Sequence, residues 1–90
     1  MGDTIDDFFQ TKVMKLMAGT FVVKYFYDEA REIVADDPID IPRLQTVLRE
    51  GLGAVKNVRK LRPGKSIQKN LDSCEKYFKN LLSEIVGQQH

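Results

Sequence analysis

One cysteine is too few for an internal disulfide, so Cys74 excludes a stapled secreted scaffold and points to a reducing compartment, with the cytoplasm expected. The sole histidine, His90, ends the chain, and neither it nor Cys74 has a partner at metal-ligand or catalytic spacing. No cofactor, metal site or enzymatic activity is therefore expected. No run approaches the roughly 20 apolar residues of a membrane-spanning helix, and the acidic start Gly2-Asp3-Thr4-Ile5-Asp6-Asp7 has the wrong sign for a secretory leader. Met1-Gly2 does not open a myristoylation signal either, because position 6 is Asp6 instead of Ser or Thr. Strand-like alternation, internal repeats and low-complexity tracts are all missing, which leaves an all-α reading.

What is present is an ordinary globular composition, 42% hydrophobic and 30% charged, spread over 90 residues that suit one domain. A core this small is marginal, and association with another copy is one way to bury more apolar surface.

Three segments repeat apolar residues at helical spacing. The first starts at Asp3 or Thr4, with Asp6 and Asp7 favourably placed in its first turn, and carries Phe9, Val13, Leu16, Thr20, Val23, Tyr27, Ala30 and Val34 at alternating steps of four and three. It ends near Ala35, ahead of Asp36, Asp37, Pro38, Asp40 and Pro42. The second begins at Asp40 or Ile41, tolerates Pro42 in its first turn, and follows Ile41, Leu44, Leu48, Gly51, Val55 and Val58, widened by Val47, Leu52, Ala54 and Leu61. Gly51 on that seam implies another backbone close by, whereas Gly53 faces outward. Arg62-Pro63-Gly64-Lys65 turns the chain. The third helix is expected to open on Ser66 as its cap, to follow Ile67, Leu71, Cys74, Phe78, Leu81 and Ile85, and to stop at Gly87 with a frayed tail. Asp72 with Lys76 and Glu75 with Lys79 are its outward pairs. Short connections imply an antiparallel bundle of three helices with a long first helix.

That first helix is too long and too apolar for its partners. From Ile5 to Ala35 it would run roughly 46 Å against roughly 30 Å for each of the others. Between Val13 and Tyr27 its only charges are Lys15 and Lys24, and a second apolar line of Met14, Ala18, Phe21 and Tyr25 lies about 150° from the seam. Either this line forms a homodimer interface, or the helix breaks at Gly19-Thr20 and the monomer becomes a four-helix bundle. The first is favoured because Ala18-Gly19-Thr20 offers little turn chemistry. An amphipathic membrane-surface helix is disfavoured by the flanking acids.

Charge is divided along the chain: residues 1–42 carry net −5, residues 43–69 net +7 and the remainder net −1. Arg49, Lys56 and Lys60 share an outward stripe, with Arg59, Arg62 and Lys65 at the helix end and the following turn. Such a patch suits phosphates or an acidic protein surface. Basic residues at a helix C-terminus also complement its dipole, and that plainer explanation ranks first. With no aromatic residue between Asp40 and Cys74, base stacking is not supported, so nucleic acid ranks below an acidic protein partner.

Gly64-Lys65-Ser66 lacks the upstream glycine and strand of a phosphate loop, although a helix start beside Arg62 and Lys65 could hold an anion non-specifically. Gly51-Leu52-Gly53 lies inside a helix and reads as packing. Asp36, Asp37 and Asp40 lack the spacing of a calcium loop. The expectation is a non-enzymatic helical interaction module (adaptor, regulator or assembly factor) that self-associates through its first helix, with polyanion binding by residues 43–69 as the alternative.

Overall fold

The chain folds into α1 (Asp3–Ala35), α2 (Ile41–Arg59) and α3 (Lys65–Gln88) in the computed structural model, which describes the backbone of residues 3–88 and the side chains of residues 11–87. Expectations for Met1, Gly2, Gln89 and His90, and for the Phe9 side chain, lie outside what is described.

α1 does not break at Gly19-Thr20. The Thr20 hydroxyl donates to the Met17 carbonyl at 2.9 Å, which accommodates it inside a continuous helix. The four-helix alternative is thereby excluded. α2 starts as its sequence directs: Asp40 is the cap, its carboxylate accepts from the Arg43 amide at 3.2 Å, and proline occupies the first turn. The Asp37–Pro38 peptide in the preceding connection is cis.

Two local expectations need correction. Ser66 is not the cap of α3, because the helix already includes Lys65 and the Gly64 carbonyl accepts its first helical hydrogen bond, from Gln68. Nor does Gly87 stop that helix, which continues to Gln88. The turn between α2 and α3 is made by Arg62 at φ 53°, not by Gly64, and Pro63 is buried beneath it.

Specific contacts fix the directions. Glu29 of α1 meets Arg43 of α2, and Gly19 meets Val58, so these helices run antiparallel. Gly51 of α2 meets Phe78, and Arg59 meets Asp72 and Glu75, so α2 and α3 are antiparallel too. α1 and α3 are consequently parallel, touching through Tyr27 and Tyr77 with ring centroids 4.9 Å apart. The result is three positions of an up-down bundle, 60 Å long and under 20 Å across.

One core joins the three helices, with Val23, Ala30 and Ile33 from α1, Leu44, Leu48, Val55 and Val58 from α2, and Leu71, Phe78 and Ile85 from α3. The α2 and α3 seams are as predicted, while α1 differs at both ends. Val13, placed on the core seam by periodicity, is 48% exposed because α2 and α3 do not extend far enough to cover it. Ile33, absent from that seam, is buried, since α1 must serve two neighbours and its buried face widens beyond one heptad line.

Gly51 is a close approach of a different kind from the one expected. A Cβ there would stand 2.8 Å from two carbons of the buried Phe78 ring, so the neighbour is a side chain and not a backbone. The same holds for Gly19, where a Cβ would collide with Val58 Cγ2.

Candidate functional site

The N-terminal half of α1 carries the least explained surface. Met14 is 68% exposed, Phe21 66% and Tyr25 58%, and Ala18 between them is exposed as well, so the whole predicted stripe faces away from α2 and α3. Met17 and Val22 extend it on either side, and Val13, exposed as well, lies beyond Lys24 on the seam side. Met17 and Val22 are missing from the stripe that spacing alone defines, although their helical angles place them beside Phe21 and Ala18. Lys15 and Lys24 border this face on opposite sides, about 180° apart round the helix.

The strip is unpartnered because it lies on the side of α1 turned away from α2 and α3, and Val13 and Met14 also precede the level at which α1 meets the α2–α3 connection. α1 has 33 residues, α2 has 19 and α3 has 24. Lys15 already shares a shallow groove with Leu61 in the α2–α3 connection, so the residues before it pass beyond the bundle.

Two grooves flank the strip where it joins the bundle. The smaller, about 240 Å³, lies between α1 and α2 around Gly19, Val22, Ala54 and Val58. The larger, about 330 Å³, lies between α1 and α3. Val23 and Leu71 are its apolar floor, Phe21 and Ile67 stand at one end, and Tyr27 and Cys74 line it further along, with Lys24 and Asn70 among its polar members. Arg31 lies over the Tyr27 ring at 5.7 Å, adding a second cation beside this groove. Burial raises the Cys74 thiol pKa above its ordinary 9.0, making it a poor nucleophile at neutral pH. Tyr77 is raised above 10.0 by burial and by Tyr27, against an opposing effect of Arg31.

The predicted basic patch is only partly free. Arg49, Lys56, Lys60, Arg62 and Lys65 are exposed. Arg59 is not part of an open patch: its guanidinium donates to Glu75 at 2.6 Å and also to Asp72, tying α2 to α3. Asp72 therefore pairs across helices instead of with Lys76, whereas the predicted Glu75–Lys79 pair is present at 3.3 Å.

Tyr25 projects from α1, while its neighbours Phe26 and Tyr27 pack against the core. Among the described residues no group of three His, Cys, Asp or Glu side chains could hold a metal ion, and no described helix is long and apolar enough to cross a membrane. No family model, curated protein or solved structure matches the chain.

Proposed function

We propose that this protein is a non-enzymatic interaction module of the cytoplasm that forms a homodimer through the exposed apolar face of α1. The observation that carries the reading is the exposure of Met14, Ala18, Phe21 and Tyr25 with Met17 and Val22 alongside. Isolated apolar residues on a surface need no explanation, but a contiguous strip of this size does.

Area supports a second copy as the occupant. The five large side chains of this face, Met14, Met17, Phe21, Val22 and Tyr25, are each 45% to 68% exposed. At on the order of 100 Å² covered apiece, they supply roughly 500 Å² per copy. A two-fold pair would bury about 1,000 Å², the area a specific interface needs to clear. A two-fold contact also uses the same patch on both copies.

Polyanion binding by residues 43–69 is the weaker reading, because Arg59 is engaged by Asp72 and Glu75. An acidic protein or nucleic acid would have to use Arg49, Lys56, Lys60, Arg62 and Lys65 alone.

Light scattering on the purified chain should give the mass of a dimer, and Phe21→Glu should give a monomer with unchanged helicity. A wild-type monomer at high concentration would overturn the proposal. Salt separates the two readings: apolar pairing should survive added salt, whereas phosphate binding should weaken steeply.

A further inference from the structure

We infer that two copies pair with their α1 helices antiparallel, about a two-fold axis that passes level with the Gly19–Thr20 bond, so that residues 25–35 of each copy lie along the N-terminal overhang of the other. This rests on the self-association proposed above and adds the direction and the register of the contact.

The strip is symmetric about that point. Met14 and Tyr25, Met17 and Val22, and Ala18 and Phe21 stand at equal distances on either side of it. All six are exposed, and by helical angle they centre about 180° from the core side marked by Val23, Tyr27 and Ala30. A second helix laid on this face runs clear of α2 and α3.

An antiparallel pair with that axis interdigitates. Phe21 of one copy comes to the level of Ala18 in the other and enters the hole bounded there by Met14, Met17, Ala18 and Phe21, which have the i, i+3, i+4, i+7 spacing of knobs-into-holes packing. Ala18 is the one small member, and it leaves the room that the ring fills. Met14 comes to the level of Tyr25, setting a thioether against an aromatic ring. A parallel pair in register would instead set Phe21 on Phe21 and Ala18 on Ala18, crowded at one level and hollow at the next.

Charge favours the same direction. The described charged side chains on or beside this face are Lys15, Lys24, Asp28, Glu29, Arg31 and Glu32. A parallel pair brings Asp28 and Glu32 each against its own counterpart. In the antiparallel register Asp28 falls instead at the level of Thr11, which is uncharged. Lys15 and Lys24 share a level, but they lie on opposite flanks of the face, about 180° apart. Glu29 is held by Arg43, and Arg31 is turned toward Tyr27. Glu32 falls at the level of Asp7, a like-charged pairing at each end of the contact that salt screens.

Disulfide trapping reads the direction, in a Cys74→Ala background that removes the native thiol. Met14→Cys and Tyr25→Cys chains are mixed, reduced and weighed by light scattering, then oxidised with copper-catalysed air, in which two thiols give up two hydrogens to oxygen and gain one S–S bond. The two positions are about 16 Å apart along one helix, too far for a bond within a chain or between parallel copies in register. The expected result is a disulfide dimer from the mixture and none from either variant alone. Dimers from each variant alone, with no mixed species, would show parallel pairing and overturn the inference. Thr11→Cys mixed with Asp28→Cys repeats the test outside the apolar strip, using a short bis-maleimide that adds one thiol across each of its double bonds. Bridging of this mixture, and of neither variant alone, is expected. If the reduced chains are dimers yet neither mixture joins, the register is wrong while self-association stands. A monomeric wild type would remove both proposals.

Discussion

Replacing Gly53 by Ala adds a methyl group to the outer face of α2, where no heavy atom lies within 4 Å of the new Cβ. The substitution should therefore yield the propensity difference between Gly and Ala, a stabilisation of about 0.5–1 kcal/mol. Gly51 has the same propensity to gain, but its new Cβ would stand 2.8 Å from Cε2 and Cζ of Phe78. Ordinary carbon contacts lie near 3.5–4.0 Å, so the ring must move by the better part of an ångström. Phe78 is fully buried among core side chains and has no free direction. Overpacking of this kind costs about 1–3 kcal/mol, which outweighs the propensity gain. Gly51→Ala should come out neutral to about 2 kcal/mol destabilised, and Gly51→Leu worse.

Urea unfolding followed by circular dichroism reads this pair directly, at one fixed protein concentration because dimer formation would make stability concentration-dependent. Near the midpoint each kcal/mol corresponds to about 4–8 °C in Tm for a chain of this size. Equal stabilisation by Ala at both glycines, with Leu harmless at position 51, would refute the packing argument.

Arg59→Ala should destabilise by about 1–2 kcal/mol by leaving Glu75, partly buried, without its charge-assisted donor; a double-mutant cycle with Glu75→Ala that returns no coupling would count against this. Arg62→Gly should be neutral or stabilising by up to about 1 kcal/mol, because it relieves a left-handed non-glycine residue, while Arg49→Gly inside α2 should cost about 1 kcal/mol. The raised pKa values of Cys74 and Tyr77 mean that the unfolded chain releases those protons first. Stability should therefore be insensitive to these groups below about pH 9 and decline as pH rises beyond it, with Cys74→Ala flattening the first part of the decline. An unchanged slope in that variant would be the contrary result.

The elements were legible because their signals are local. Asp40, Pro42 and the paired prolines around Asp40 set the α1–α2 boundary through φ restriction and a single side-chain cap. The α3 seam from Ile67 to Ile85 needs only the 3.6-residue repeat. What the sequence left hidden depends on the register between helices. Whether Asp72 takes Lys76 or Arg59 depends on where α2 ends opposite α3, and no spacing within α3 contains that information. The ring over Gly51 is hidden for the same reason, since Phe78 lies 27 residues away in sequence. The spacing of Val13 predicts a core position. Its exposure follows from the position of the α2–α3 connection along α1. The candidate stripe was readable as a second apolar line, whereas the groove beside it was not, because it is made by the separation of α1 from α3.

The exposed strip is hard to attribute to the fold of a single copy. Phe78, Ile33, Leu48, Leu71, Val55 and Val58 are the largest fully buried side chains, and none belongs to the strip. Local helix stability does not call for it either, since Val, Phe and Tyr are poorer helix formers than Ala, Lys or Glu by several tenths of a kcal/mol each. Val13, Phe21, Val22 and Tyr25 thus weaken α1 locally while gaining only partial burial against it. Their hydrophobicity yields its full return, about 25 cal/mol per Å² covered, only when something else covers them. Under the proposed self-association, residues 14–25 are what this chain brings to a second copy. If so, polar substitutions at Met14, Met17 and Phe21 should raise or leave unchanged the stability of the monomer while abolishing the dimer.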